Sequence, residues 1–359
     1  MTGFKMTAAH HILGYAQSFK GGGVERALLR LAGAWVEAGR RVTLVVADPR
    51  GPLAAEVAED VDVVPLGSAT YRALFALPRH VRTIRPDVIF CAGSHYTSVA
   101  AWTRLRLRGA CPPIVGKVSN AIRRPDHHVA LAPGHAAWLL LHPLFLDRVV
   151  GMSAASAAAI AAAMRLAPED VVVIPNPPAR PIPSGAPAQL PPRYILGVGR
   201  LARQKRWDRL VAAVPRLRDR QVPLVILGEG EERAALMAQA QTLGIADRLI
   251  MPGHVRDPLG AMANAAVVAL SSDFEGVPGV LREALSVGTP VVATDASPAV
   301  AEIVVSPVLG TIVARDDPDA LIAALDHWLD GAARPAPVPP PGADSALRYL
   351  ELFDSLRRA

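Results

Sequence analysis

Cysteine is almost absent. The 359 residues hold two, Cys91 and Cys111, each in or beside an apolar stretch, which argues against a disulfide framework and for a reducing compartment. Also missing is any uninterrupted apolar run of the roughly 20 residues that a membrane span needs. The nearest, LAPGHAAWLLLHPLFLDRVVGM from Leu131 to Met152, is broken by two His, two Pro, Asp147 and Arg148, and reads as a buried or interfacial segment. The N-terminal MTGFKMTAAHHILGYAQ has no long apolar h-region, so no secretory signal is expected. Neither a sequence repeat nor a nucleic-acid motif is visible.

What is present suits two domains of similar size, since 51% of the chain is apolar and the length exceeds one ordinary core. The net charge of +6 is unevenly spread: up to Arg180 there are 20 Lys and Arg against 12 Asp and Glu, and beyond it 18 against 20. Eight of the ten His also fall in the first half. A basic half fits an anionic partner such as phosphates or an anionic lipid surface, and equally an Arg-rich soluble face.

Strand-like and helix-like stretches alternate. HILGYA reads as a strand, GGG as a turn, and Val24 to Ala38 as a helix with Val24, Ala27, Leu28, Leu31 and Trp35 on one face. Gly39 stops that helix before the strand RVTLVVA. The strands DVIFCAG, PIVGKVS, RVVGMS and DVVVIPN follow, which implies a parallel sheet covered by helices on both faces. Asn176 to Arg193, NPPARPIPSGAPAQLPPR, is too dense in proline for a helix or central strand and reads as a linker. The alternation then restarts with YILGVG, VPLVILG, RLIMPG, AVVALSS and PVVATD. After a second Pro-rich stretch, DSALRYLELFDSLRR places Tyr349, Leu352, Phe353 and Leu356 on one helical face, so the last helix is expected to dock. Two doubly wound domains facing across a hinge would bind a ligand at the carboxyl ends of their strands.

The loops at those ends hold the chemistry. In ILGVGRLARQKRWDRL, Arg200 follows a strand directly and Lys205 comes five residues later. A bidentate Arg and a mobile Lys are what a diphosphate needs, although both residues also read as solvated charges. Gly228 and Gly230 in VILGEGEERAAL, like Gly21, Gly22 and Gly23 in GGGVER, let the backbone approach a ligand or merely form tight turns. In SSDFEGVPGVLREALSVGTPVVATD, Glu275 lies in a loop after a strand, Gly276 permits close approach, and Pro278 suits the first turn of the next helix. Glu283 then lies roughly 7–8 Å further along the helix axis, about the span from the hexose to the ribose of a nucleotide sugar. Ionised carboxylates accept hydrogen bonds from sugar hydroxyls, which gives the two acids a shared purpose.

VGRLARQK, LGEGEER, MPGHV, SSDFEGVPGVLREALSVGTPVVAT, GGGVERALLRLA and VVVIPNP together resemble the retaining glycosyltransferases of the GT-B fold, glycosyltransferase group 1 (family 4). Glu275 and Glu283 match the E-x7-E pattern of that family. The resemblance covers nearly the whole chain and is strongest from Ile195 to Ile303. EGVPG departs from the more Gly-rich or aromatic sequence of many members, and DASPAVAEIV lacks the Gly that often precedes the acid at Glu302, so the sugar pocket stays open.

The resemblance implies an α/β architecture of two Rossmann-like domains: an acceptor-binding domain over 1–178, a Pro-rich linker over 179–193 and a nucleotide-sugar domain over 194–334. A Pro-rich segment and helix over 335–359 would pack back on the first domain. It implies transfer of a hexose-type sugar, with retention, from a nucleoside-diphosphate sugar to a lipid-linked or cell-envelope glycan. A UDP-sugar ranks ahead of a GDP-sugar, and no cofactor or metal is required. Arg200, Lys205, Glu275 and His95 would be catalytic. Gly22, Gly23, Gly228, Gly230, His254, Val255, Gly276, Gly279, Val280, Leu281 and Glu283 would hold the donor. Tyr96, Asn120, Arg123, Arg124, His127 and His128 would face the acceptor. The formal D-x-D at Asp60–Asp62 precedes a strand rather than following one, and is set aside as a metal site. RLRLR from Arg104 to Arg108 and the apolar Trp138–Leu146 suit peripheral contact with an anionic membrane, hence a cytoplasmic protein at its inner face. A nucleotide-sugar epimerase, a glycoside hydrolase and a non-catalytic nucleotide-sugar-binding protein are the competing readings.

Overall fold

The structure, a computed structural model, describes residues 8–119, 122, 132–179, 190–255 and 258–357. The chain forms two compact units, one from the described residues up to Pro177 together with those from Pro341 on, the other from those of Pro178–Pro340.

The first unit is built on β1 (His11–Ser18), β2 (Arg41–Asp48), β3 (Asp62–Pro65), β4 (Val88–Cys91), β5 (Ile114–Lys117), β6 (Arg148–Gly151) and β7 (Val171–Val173). All pair in parallel in the order β3-β2-β1-β4-β5-β6-β7. Its helices are α1 (Gly23–Glu37), α2 (Leu77–Ile84), α3 (Thr97–Leu107), α4 (Ala132–Leu140) and α5 (Ala154–Met164). The central strands are continuous apolar runs because both faces are covered. Leu28, Leu31 and Trp35 of α1 are fully buried against them.

The second unit carries β8 (Ile195–Val198), β9 (Leu224–Leu227), β10 (Leu249–Gly253), β11 (Val267–Leu270), β12 (Val291–Thr294) and β13 (Gly310–Val313). These are also parallel, in the order β10-β9-β8-β11-β12-β13. Between them run α6 (Trp207–Ala213), α7 (Arg233–Thr242), α8 (Leu259–Asn264), α9 (Gly279–Ser286), α10 (Pro298–Ile303) and α11 (Pro318–Leu329). The edge strand β13 was not read from the sequence. GTIV is short, opens on Gly and is buried only at its two ends, so its apolar signal is weak.

The last helix, α12 (Ser345–Ser355), belongs to the first unit. Trp35 makes edge contacts with Tyr349 and Phe353 at centroid distances of 5.9 and 5.2 Å, and with Phe90 of β4 at 5.3 Å. The expected boundary at 335 needs correction. Val338 N–H donates to Leu285 O, so residues 335–340 stay with the second unit and the return begins at Pro341. The segment leaving the first unit is tied down by Ser345 Oγ on Pro175 O (2.6 Å) and Lys117 Nζ on Asn176 Oδ1 (3.0 Å).

Both sheets reverse strand order beside their first strand, between β1 and β4 and between β8 and β11. The loops leaving the carboxyl ends of those strands diverge there and open a crevice.

Candidate active site

In the second unit the loops after β8 and β11 bring Arg200, Lys205 and Glu275 to this reversal point. Lys205 Nζ donates to Glu275 Oε1 at 2.7 Å, with the two side chains only 16% and 10% exposed. Ser272 Oγ donates to the same oxygen at 2.6 Å. Among the described residues the Lys205 ammonium spends one of its three donors this way. Arg200 is exposed, and no described residue pairs with its guanidinium; its carbonyl accepts from Trp207 Nε1.

The loop carrying Glu275 is held from several sides. Gln204 Nε2 donates to Phe274 O, Arg315 Nη1 to Asp273 O, and Ser271 Oγ to the carbonyls of Lys205 and Arg206. Asp273 pairs with Arg206 and Arg209 at 3.2 and 2.8 Å. The Asp208 carboxylate, then Asp273, drives the Arg206 pKa further up. This brace went unread in the sequence, since it joins Arg and Asp residues from four separate loops.

The donor candidates divide. Gly228 has φ of +149°, and a Cβ there would sit 2.0 Å from Gly199 O; at Gly230 it would sit 2.2 Å from Leu201 O. These glycines are required by the backbone of the neighbouring loop, which corrects their reading as a ligand cradle. Pro278 is the N-cap of α9 rather than a residue of its first turn. Leu281 is wholly buried and its N–H goes to Pro278 O, so it is withdrawn as a donor contact. The N–H groups of Gly279 and Val280 have no partner among the described residues and carry the positive end of the helix dipole. Glu283 is the fifth residue of α9 and half-buried, Gly276 O accepts from Ser297 Oγ, and His254 and Val255 follow β10 directly.

The first unit gathers its own polar groups where β1 and β4 diverge. Glu25, in the first turn of α1, accepts from Tyr96 Oη at 2.8 Å, and its Oε1 lies 3.7 Å from His95 Nε2. Burial works to raise the Glu25 pKa, but hydrogen bonds from His95 and Tyr96 outweigh it and hold the carboxyl below its ordinary value. Tyr96 is buried, and its hydroxyl also accepts from Gln17 N–H at 2.8 Å. It is structural, which corrects its reading as an acceptor contact. Lys117, at the end of β5, is 1% exposed. Burial drives its pKa down to about 8 against the pull of Glu25 and Cys91. Glu25 and Lys117 were both missed as site residues. The signals were an acid just after a triple glycine and a lysine inside an apolar strand.

Asn120, Arg123, Arg124, His127 and His128 lie outside the described residues. Gly22 has φ of +137° and N-caps α1, while a Cβ on Gly23 would meet open space. Of the apolar Trp138–Leu146 stretch, Leu139, His142, Phe145 and Leu146 are buried, leaving Leu140, Leu141 and Leu144 exposed with Leu105. Asp62 of the D-x-D opens β3 and pairs with Arg41. Among the described residues, no group of three His, Cys, Asp or Glu gathers as a metal cluster would, and no helix is long and apolar enough to cross a membrane.

Two family models match in succession, Glycosyltransferase Family 4 over residues 21–178 and Glycosyl transferases group 1 over residues 183–336. A Campylobacter jejuni N-acetylgalactosamine-N,N'-diacetylbacillosaminyl-diphospho-undecaprenol 4-alpha-N-acetylgalactosaminyltransferase is 32% identical over 138 residues, 38% of this chain and 38% of that protein. The Rhizobium meliloti lipopolysaccharide core biosynthesis glycosyltransferase LpsE is 36% identical over 108 residues, 30% of this chain and 31% of its own. The chain thus spans well under half the length of the curated relatives it matches. The crystal structure of Anabaena HepE with UDP and glucose superposes with a TM-score of 0.74 at 20% identity, covering 96% of this chain and 97% of that one. Two parallel sheets of this order, charged loops at their reversal points and the paired family models lead to one conclusion: the chain belongs to the group 1 glycosyltransferases of the GT-B fold.

Proposed function

We propose that this protein is a retaining glycosyltransferase that moves a hexose-type sugar from a UDP-sugar to a lipid-linked or cell-envelope glycan without a metal ion. The observation that carries the reading is the unpartnered Arg200 beside the Lys205–Glu275 pair at the reversal point of the second sheet. Cleavage of the anomeric bond leaves two negative charges on the nucleoside diphosphate and oxocarbenium character on the sugar. Arg200, the spare Lys205 donors and the open N–H groups of Gly279 and Val280 would take up the leaving charge, the task a divalent cation performs elsewhere. Glu275, held by Lys205 and Ser272, would accept from a sugar hydroxyl, and Glu283 from the ribose diol. The acceptor would attack from the face the diphosphate leaves, with the diphosphate oxygen taking its proton, so retention needs no protein nucleophile.

The acceptor class draws on the relatives, whose names place them on diphospho-undecaprenol and lipopolysaccharide core. Leu144, 75% exposed, with exposed Leu105, Leu140 and Leu141 and the cations Arg106, Arg108 and Arg148, would meet an anionic membrane at its inner face.

The test is a thermal-shift series with UDP, GDP, ADP and dTDP, each with magnesium and with EDTA, on the wild type and Arg200→Ala. Selective stabilisation by UDP in EDTA that the variant loses is the expected result. No shift from any diphosphate would overturn the reading, and a shift only with magnesium would overturn its metal independence.

A further inference from the structure

His95 is the part of the first unit's polar cluster that meets solvent, at 41% side-chain exposure, while Glu25 behind it is 12% exposed. The histidine is fixed on every side but one. Its carbonyl accepts from Tyr71 Oη at 2.6 Å, its ring lies 3.8 Å from that of Tyr96, and the Tyr96 carbonyl accepts from Tyr15 Oη at 3.0 Å. What remains is rotation of the imidazole itself, and the group facing Nε2 is the Glu25 carboxylate.

That carboxylate is fixed in turn. Tyr96 Oη donates to it, and the buried Lys117 ammonium attracts it. Its other oxygen occupies the space where a side chain on Gly22 would begin, 2.5 Å from a Cβ built there. The left-handed glycine therefore leaves room for an acid from the following turn, and the acid reaches the histidine. A surface salt bridge would not be built this way, because an exposed pair repays little for burying a carboxylate.

We propose that Glu25 is a positioning residue of the transferase reaction: it holds the His95 imidazole, through Nε2, in the orientation that meets a hydroxyl of the bound sugar. This rests on the function proposed above. Glu25 does not touch the sugar and acts only through His95. Gly22 is the second half of the device, since any side chain there displaces the carboxylate.

The test measures UDP release from UDP-glucose, UDP-galactose and UDP-N-acetylglucosamine by the wild type, Glu25→Gln, Gly22→Ala, His95→Ala and the Glu25→Gln/His95→Ala double variant. UDP affinity is measured on each by calorimetry. Glu25→Gln keeps the shape and the Tyr96 contact but removes the charge. The expected result is a roughly 10- to 100-fold fall in kcat for Glu25→Gln and Gly22→Ala. KM and UDP affinity should stay within about twofold, and the double variant should be no slower than His95→Ala. Wild-type kcat in Glu25→Gln, or losses that multiply in the double variant, would overturn the positioning role while leaving the transferase reading intact. Absence of UDP binding and release in the wild type would instead remove the proposed function and this role with it.

Discussion

Lys117→Met should make the protein more stable at neutral pH, although it deletes a hydrogen bond and a charge. The ammonium lies at the end of β5 with Asn176 Oδ1 as its one hydrogen-bond partner, and burial lowers its pKa from 10.5 to about 8. A drop of that size means that the fold disfavours the charged form by about 3 kcal/mol. Between about pH 8 and 10.5 the unfolded chain binds the proton and the folded chain does not, so stability rises with pH across that window. Below pH 8 both states are protonated and the full cost is present. Methionine fills a similar volume without a charge, and losing the Asn176 bond takes back about 1 kcal/mol. The expected net gain is about 2 kcal/mol at pH 7, or about 4–8 °C in the melting transition of a unit this size. The gain should disappear towards pH 10.5. Calorimetric scans of both proteins at half-unit pH steps give the answer, the first unit's transition being the one that Phe353→Ala lowers. Parallel curves for the two proteins across pH 8–10.5 would refute the argument, because Lys117 would then titrate alike in both states.

Phe353→Ala itself removes a fully buried ring packed on Trp35 and Phe90, and should cost about 3–5 kcal/mol in the first unit's transition while leaving the second in place. Gly230→Ala puts a Cβ against the Leu201 carbonyl, and should abolish UDP-induced stabilisation by displacing the Arg200 loop even where circular dichroism shows the fold retained. Lys205→Met strands the Glu275 carboxylate with Ser272 alone, and should lower the second unit's stability by about 2–3 kcal/mol, with Glu275→Gln in the same chain recovering part of the loss in urea titrations. Leu144→Glu with Leu105→Glu should reduce co-flotation with phosphatidylglycerol vesicles several-fold without changing UDP binding, and unchanged flotation would remove the membrane contact.

The sheets were legible because central parallel strands are short apolar runs bounded by turn residues, and twelve strands in two sets of this kind have few other architectures. Lys205 and Glu275 could be found because both follow strands directly, where the reversal of strand order places ligands. Gly228 and Gly230 show where such reading ends. A glycine after a strand signals close approach, but only coordinates tell whether a ligand or a neighbouring loop makes it, and here the Gly199 and Leu201 carbonyls do. Tyr96 fails for a related reason: it follows His95 in sequence, yet its side chain turns inward to Glu25. The Asp273 brace was invisible because its partners come from loops after β8, β11 and β13, and pairings of that range leave no local pattern.

The two units handle charge differently at equivalent points of their sheets. In the second, each charge behind the loops has an ion-pair partner within reach, so the brace costs the fold little and leaves Arg200 as the charge with work still to do. The first instead buries an ammonium with one hydrogen bond beside a carboxylate that it does not touch. Core packing would be better served by methionine at 117 and a hydrophobic residue at 25. The cost of about 3 kcal/mol at Lys117 makes sense if the field it creates is used, and the group lying in that field is the Glu25 carboxylate that faces His95. Stability and rate should therefore move in opposite directions in Lys117→Met: a higher melting temperature at pH 7 together with slower UDP release. A variant that gained stability and kept full rate would separate the lysine from the site.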